Sequence, residues 1–344
     1  MSRSFKHLLV TGGAGFIGSN FVRYQIANHP SVEVTTLDAL TYAGNLANLE
    51  PVRSAARHRF VHGDVTDREA VFRVLERGVD AIVHFAAESH VDRSIEDSAV
   101  FLRTNVLGTQ VLLEGARRCG VKRFLHISTD EVYGSLGPEG RFTEESPLRP
   151  SSPYAASKAA ADLLVLSYVR TYGIDALITR CSNNFGPYQF PEKVVPLFIT
   201  SAFANEPLPL YGDGSNVRDW IYVEDHCAAL DVVLRRGRGG EVYNVSANNE
   251  RANRDLTREI LRRTGKAETL IRPVADRPGH DWRYALDASK LRREMGWAPA
   301  HSFEESLEAT IEWYRTHEAW WRAVKSGEYR RFYDLWYGNR LAPG

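Results

Sequence analysis

The stretch that most constrains the fold is Gly12-Gly-Ala-Gly-Phe-Ile-Gly18. It lies between a short apolar run, Lys6 to Thr11, and a segment, Phe16 to Ala27, whose apolar residues recur at helical spacing. Glycines at these steps permit a tight turn and let backbone N–H groups approach a pyrophosphate at the positive end of a helix. Both G-x-G-x-x-G, from Gly13, and G-x-x-G-x-x-G, from Gly12, fit the residues. A second apolar run, Glu33 to Leu37, ends in Asp38, 20 residues past Gly18, where an acid accepts the ribose hydroxyls of a dinucleotide. The bland reading of Asp38 is a turn residue. Ala39 and Leu40 bring no cation for a 2′-phosphate, which favours NAD over NADP.

Further strand-end signals follow at Arg59 to Val65 and Ala81 to Ala87, and strands alternate with helical segments, as a parallel sheet with right-handed crossovers requires. The fold expected is α/β, a Rossmann-type doubly wound parallel sheet with a smaller C-terminal substrate-binding domain. Residues 1–180, with returning segments near 218–246, form the first part and 181–344 mainly the second. Asp64 and Val65 are then placed toward an adenine and Ala86 toward a nicotinamide. With 344 residues, 43% of them hydrophobic and 25% charged, the chain can build both cores. Its formal net charge of zero argues against nucleic acid or an anionic membrane as partner. Residues 251–300 nonetheless carry 12 Lys and Arg against 7 Asp and Glu, which suits an anionic small molecule or a solvated basic face. Cys119, Cys181 and Cys227 lack metal-ligand spacing and read as reduced core residues of a cytoplasmic protein. No metal site, signal peptide or membrane span is expected.

Arg123 to Gly134 is an apolar run ending in Ser128, Thr129, Asp130 and Glu131. In a doubly wound sheet these side chains would face the ligand at the strand's carboxyl end. Two adjacent carboxylates can divide acid and base roles where their surroundings push their pKa values apart. A strand running into a capped turn is the plain alternative. Tyr154 and Lys158, in Ser152-Pro-Tyr-Ala-Ala-Ser-Lys158, lie four apart on one face of a helix that starts near Pro153. A nearby ammonium favours the phenolate, so the pair reads as a base with its Tyr pKa lowered.

Taken together, the glycine turn, Ser128-Thr129 and Tyr154/Lys158 make the chain resemble the extended short-chain dehydrogenase/reductases. Thr129-Asp-Glu before Val132-Tyr-Gly134 resembles the nucleotide-sugar 4,6-dehydratases of that family, those acting on dTDP-glucose in particular. Similar stretches are Asp38 to Asn45, Ala86 to Ser94, Arg180 to Pro187, Pro191 to Pro196 and Asp276 to Asp281. The resemblance spans Leu8 to the Trp320-Trp321 region, with Ser246-Ala-Asn-Asn-Glu less glycine-rich than the family pattern near Asn253.

The resemblance implies that NAD is held by Gly12, Gly15, Phe16, Ile17, Gly18, Asp38, Asp64, Val65, Ala86, Ser128, Tyr154 and Lys158. It implies substrate contacts from Glu88, Ser89, Thr129, Asn184, Lys193, Tyr211, Arg218, Asn253 and His280. Of these, Asn184, Lys193, Arg218, Asn253 and His280 are expected in loops, and Arg218 is the best bidentate ligand for a diphosphate. The catalytic set implied is Thr129, Asp130, Glu131, Tyr154 and Lys158, acting in the net loss of water from a dTDP-hexose. A homodimer through helices 99–116 and 153–171 is implied as well. Two rivals share the cofactor site: a nucleotide-sugar 4-epimerase or decarboxylase, which would not need Asp130 and Glu131, and a non-catalytic NAD-binding scaffold. The segment Ser302 to Tyr314 carries a capping-box pattern, Ser302 and Glu305, and reads as a packing helix, with no chemistry assigned to Trp313, Trp320 or Trp321.

Overall fold

The computed structural model describes residues 2–326 together with Tyr333. The C-terminal end of the segment 181–344 otherwise lies outside the described residues. Strands β1 (His7–Thr11), β2 (Glu33–Asp38), β3 (His58–His62), β4 (Ala81–His84), β5 (Arg123–Thr129) and β6 (Ala176–Cys181) belong to one sheet. Next, β7 (Asn183–Phe185), β8 (Leu208–Tyr211) and β9 (Val217–Tyr222) leave it, β10 (Val242–Val245) returns to its edge, and β11 (Glu250–Ala252) and β12 (Ile271–Val274) lie elsewhere. The large sheet runs β10-β6-β5-β4-β1-β2-β3, and every pairing in it is parallel. Strand order reverses between β1 and β4, which makes their carboxyl ends the switch point of a doubly wound sheet.

Both faces of this sheet are covered, so its strands read as continuous apolar runs; all seven residues of β5 are buried. Successive residues still serve opposite faces. Leu8 and Val10 pack with the helices Phe16–Asn28 and Val223–Arg236, whereas Leu9 packs with Arg68–Leu75, Gly108–Cys119 and Pro153–Tyr172.

The helix expected over 99–116 is not regular. Its α-turn Ser98–Phe101 widens into a π-turn, Leu102–Leu107, before α-geometry resumes at Gly108. Asn105 in the wide turn points inward, accepting from Glu88 N at 2.9 Å and donating to Glu88 O at 3.0 Å and Ser157 Oγ at 2.8 Å. The distortion thus fastens the loop after β4 to two helices.

A second core forms around β11-β9-β7 and β12-β8 with the helices Val194–Ala204, Asn253–Thr264 and Phe303–Thr316. The last of these starts with the capping box expected at Ser302 and Glu305. The segment 218–246 does not return to the large sheet as a whole. Only Val223–Arg236 and β10 do, because β9 is shared: Trp220 and Tyr222 point into the second core, Ile221 and the following Val223 into the first. Leu291, Met295 and Trp297 come back to the first core from beyond β12.

At the switch point the loops after β1 and β4 almost touch. Gly12 has φ +67, and a Cβ there would lie 2.6 Å from Ala86 N. Gly265 has φ +68 with open space around it. Gly265→Ala is therefore expected to cost only the left-handed penalty, about 1–2 kcal/mol, and Gly12→Ala that plus about 1–3 kcal/mol of overpacking. Urea unfolding of both variants checks the difference.

Candidate active site

A cleft of about 300 Å³ opens over the carboxyl ends of β1, β2, β4, β5 and β6. Gly12, Gly15, Phe16, Ile17, Gly18, Asp38, Asp64, Val65, Ala86, Ser128, Tyr154 and Lys158 all line it, so the structure brings the residues expected around a dinucleotide into one groove. No side chain caps the helix Phe16–Asn28 and no acid occupies its first turn, which leaves its N–H groups facing the cleft. Asp38 accepts from Ala14 N at 2.9 Å and Leu40 N at 2.8 Å, so the acid at the end of β2 also fixes the glycine turn. Lys158 and Lys193 are the only cations lining this cleft among the described residues, and neither lies beside Asp38 in the lining of β2. The groove fits a dinucleotide without a 2′-phosphate.

At the other end of the groove β5 delivers its polar residues. The strand stops at Thr129 and turns at once into a 3₁₀ helix, Asp130–Tyr133, capped by Thr129 Oγ1, which accepts from Glu131 N at 3.3 Å. In an extended strand, neighbours point apart; the turn brings Asp130 and Glu131 into the same cleft. Their surroundings differ. Burial, then the charges of Glu131 and Asp219, push the Asp130 carboxyl well above the usual carboxylate range, against Arg218 and the hydrogen bond from Thr129. Burial also raises Glu131, but three cations, Arg277, Lys193 and Arg218, oppose it. Asp130 is thus the carboxyl pushed further toward its protonated form, and Glu131 the one whose rise the cations oppose.

Tyr154 and Lys158 share the helix Pro153–Tyr172, with Pro153 at its first turn and Ser152 as its cap. The expected lowering of the Tyr154 pKa by Lys158 is not what the structure gives. Burial, then Glu131 and Cys181, push the phenol well above its ordinary value, with a hydrogen bond from Thr129 opposing. The Lys158 ammonium is turned away, donating to Ile127 O at 2.7 Å, and burial brings its own pKa down to about 8. Behind it runs a buried polar chain. His126 Nε2 lies 3.5 Å from both Lys158 Nζ and Asp162 Oδ1, Arg180 Nε donates to Asp162 at 2.8 Å, and Arg180 Nη1 donates to Tyr133 OH at 2.9 Å.

A second cleft, of about 150 Å³, adjoins the first through Glu131, Asn183, Glu192 and Lys193. Tyr211, Arg218, Asn253 and His280 line it, whereas Glu88, Ser89, Thr129 and Asn184 line the first cleft and Lys193 both. Of the five residues expected in loops, His280 and Lys193 are in them. Asn184 is in β7, Arg218 in β9, Asn253 opens the helix Asn253–Thr264, and Lys193 is the cap position of Val194–Ala204. Strands of three to six residues with polar members carry too little alternation to show in sequence. Arg218 is buried, donates only to the carbonyls of Val217, Asp281 and Trp282, and stacks 4.4 Å over Tyr284; it has no carboxylate partner among the described residues. His280 meets Asp276 at 2.6 Å, and burial, then Arg277 and Arg218, lower its pKa to about 4. Sequence reasoning missed Arg277, Asp92 and Tyr284 in this cleft, and Cys181, Asn183 and Glu192 beside it.

The sequence profile of the GDP-mannose 4,6 dehydratase family matches residues 9–310. A dTDP-glucose 4,6-dehydratase of Streptomyces niveus is 53% identical over 323 residues, covering 93% of this chain and 96% of its own. The chain belongs to the dTDP-glucose 4,6-dehydratase family. Among solved structures, the DesIV dTDP-glucose 4,6-dehydratase of Streptomyces venezuelae, with NAD and TDP bound, superposes with a TM-score of 0.91 at 56% identity, covering 93% of this chain and all of the other. A UDP-glucose 4-epimerase of Thermus thermophilus in complex with NAD follows at 33% identity and a TM-score of 0.84, covering 90% of this chain and 99% of its own.

Because the folded Asp130 holds its proton above the pH at which an unfolded aspartate loses it, its contribution to stability is complete below about pH 3.9 and declines as pH rises toward the raised value. Asp130→Asn, which cannot ionise, should therefore gain on the wild type between pH 5 and pH 8. Urea midpoints at the two pH values check this; a constant difference would mean that Asp130 titrates normally.

Proposed function

We propose that this protein is an NAD-dependent nucleotide-sugar 4,6-dehydratase, a hydro-lyase that converts dTDP-glucose to dTDP-4-keto-6-deoxyglucose. The observation that carries the reading is the placement of Asp130 and Glu131, unequal in their charged surroundings, beside Thr129 and Tyr154 in the cleft that also holds the dinucleotide residues. An epimerase of this fold needs Tyr154, Lys158 and NAD but not a second acid–base pair.

NAD would be held by Gly12 to Gly18, Asp38, Asp64, Val65, Ala86 and Lys158, and would supply a hydride acceptor that is later the donor. Tyr154 takes the proton of the 4-hydroxyl, and Thr129 steadies the developing 4-keto oxygen. The keto group acidifies carbon 5, where Glu131 removes the proton while Asp130 protonates the departing 6-hydroxyl. Glu131 then returns a proton to carbon 5 as hydride comes back to carbon 6, and the 4-hydroxyl proton taken by Tyr154 replaces, by way of solvent, the one that Asp130 gave up, so atoms and electrons balance as loss of one water. The Lys158 ammonium, protonated below its pKa of about 8, is turned toward Ile127 O and would meet the ribose of the cofactor rather than Tyr154.

The nucleotide end occupies the second cleft, where the carboxylate-free Arg218 and the fork of Arg277 meet the diphosphate, and Tyr211, Asn253 and His280 complete the wall. Residues 1–180 with the returning helix and β10 make the NAD-binding part, and the rest mainly the nucleotide-sugar part. Two copies of the chain pair through the helices spanning 99–116 and 153–171, which leave Val100, Leu102, Leu107 and Leu163 exposed. No helix among the described residues is long and apolar enough to cross a membrane, and three unpaired cysteines suit the reducing cytoplasm.

Incubation with dTDP-glucose tests the reading: mass spectrometry should find a product lighter by one water, with no net NADH. Unchanged product mass would favour an epimerase, and NADH accumulating with product a net dehydrogenase. Asp130→Asn and Glu131→Gln separate the two carboxylates. Each should slow elimination by about 10² to 10⁴. A 6-fluoro substrate, whose leaving group needs no proton, should restore much of the rate to Asp130→Asn and little to Glu131→Gln.

A further inference from the structure

Asp92 lies on the short helix Val91–Glu96, just beyond the loop after β4 that carries Glu88 and Ser89. Its carboxylate is 4% exposed, and each of its oxygens takes a donor from the far end of the chain: Oδ1 accepts from Arg277 Nη1 at 2.8 Å and Oδ2 from Tyr211 OH at 3.0 Å. These partners come 185 and 119 residues later, Tyr211 from β8 and Arg277 from the loop before His280. All three line the second cleft.

Simple electrostatics makes a carboxylate out of place here. The cleft gathers Lys193, Arg218 and Arg277, and beyond Glu131 and Glu192 on its border with the first cleft, a further negative charge among them opposes an anionic ligand. Yet Asp92 does what no cation there can do. Arg277 and Arg218 repel each other, each guanidinium lies in poorly solvated surroundings, and Arg277 keeps a buried Nε with no hydrogen-bond partner among the described residues. A planar fork held on one edge by a carboxylate presents its other N–H groups in a fixed direction, whereas a fork left alone beside a like charge swings away. Tyr211 is fixed by the same oxygen pair, so two walls of the cleft share one anchor on the NAD side.

We propose that Asp92 is a positioning residue for substrate binding: it clasps Arg277 and Tyr211 to the loop after β4, so that both meet the nucleoside diphosphate in a preset geometry. The inference rests on the reading of the second cleft as the nucleotide site. The clasp joins the segment that carries the sugar-side residues to the segments that carry the nucleotide-side residues. It therefore acts on affinity and on the distance between the two ends of the substrate, and not on proton transfer at Asp130, Glu131 or Tyr154.

The test uses the NAD-loaded full-length protein and dTDP as probe. Asp92→Asn keeps the shape and removes the charge; it should weaken dTDP binding about tenfold or more and raise KM for dTDP-glucose in step, with kcat changed by less than about threefold and NAD content unchanged. Tyr211→Phe should weaken dTDP severalfold in the wild type and add little in Asp92→Asn, because both changes break the same contact. Unchanged or tighter dTDP binding in Asp92→Asn overturns the proposal, since it would make Asp92 only a counter-charge, and so do additive losses. Arg218→Ala separates the two levels of the argument. Unchanged dTDP affinity there overturns the nucleotide site itself, whereas a large loss there with none in Asp92→Asn overturns the clasp alone. If Asp92→Asn does not fold, Tyr211→Phe and Arg277→Lys decide singly and together: losses less than additive uphold the shared anchor, and additive losses overturn it.

Discussion

The near-contact of the loops after β1 and β4 governs what this molecule can be. Two parallel strands lie side by side there while their helices depart to opposite faces, so a crevice has to open above them. Only a residue without a Cβ can pass Ala86 at Gly12, and the same turn aims the free N–H groups of the helix Phe16–Asn28 into the crevice. Asp38 then fastens the turn through Ala14 N. Everything chemical is arranged around that opening: β5 enters from one side with its hydroxyl and two carboxyls, and Tyr154 and Lys158 come from the helix packed behind it.

Burial is the force that sorts these groups. It raises Asp130, Glu131 and Tyr154 and lowers Lys158, and the neighbours decide how far each goes. The charges of Glu131 and Asp219 push Asp130 further toward its protonated form, whereas the rise of Glu131 is opposed by three cations of the second cleft. Charges that the sheet buries beneath the site are compensated in series, from Lys158 through His126 and Asp162 to Arg180 and Tyr133. Such a chain is costly to assemble and costly to interrupt, because removing one member leaves the next buried without its partner.

Much of this was legible in the residues. The glycine turn, Asp38 at a fixed offset, the polar end of β5, Pro153 with Tyr154 and Lys158, and the capping box at Ser302 are local signals, each set by a short window of sequence. What could not be read depends on contacts between distant segments. Arg218 and Asn184 sit on strands too short to show a period, and β9 alternates between two cores, so its pattern announces neither. Asp92 and Arg277 meet across 185 residues with no mark on either. The Tyr154 pKa depends on the direction in which the Lys158 ammonium turns, toward Ile127 O, and spacing along a helix fixes only that the two share a face.

The return of β10 to the large sheet governs how the chain can be made. β6 is not an edge in the finished molecule, yet when synthesis has reached only Cys181 the side of Ala176–Cys181 away from β5 is an unpaired edge, and the apolar face that Val233, Leu234 and Tyr243 later cover is bare. The partner for that edge is written some sixty residues later, after β7, β8 and β9 have been emitted. Until then the exposed strand is a template for pairing with any other chain. The two parts are therefore not modules that can be cut apart, exchanged or expressed alone: the first is sealed by a segment that the second must let pass.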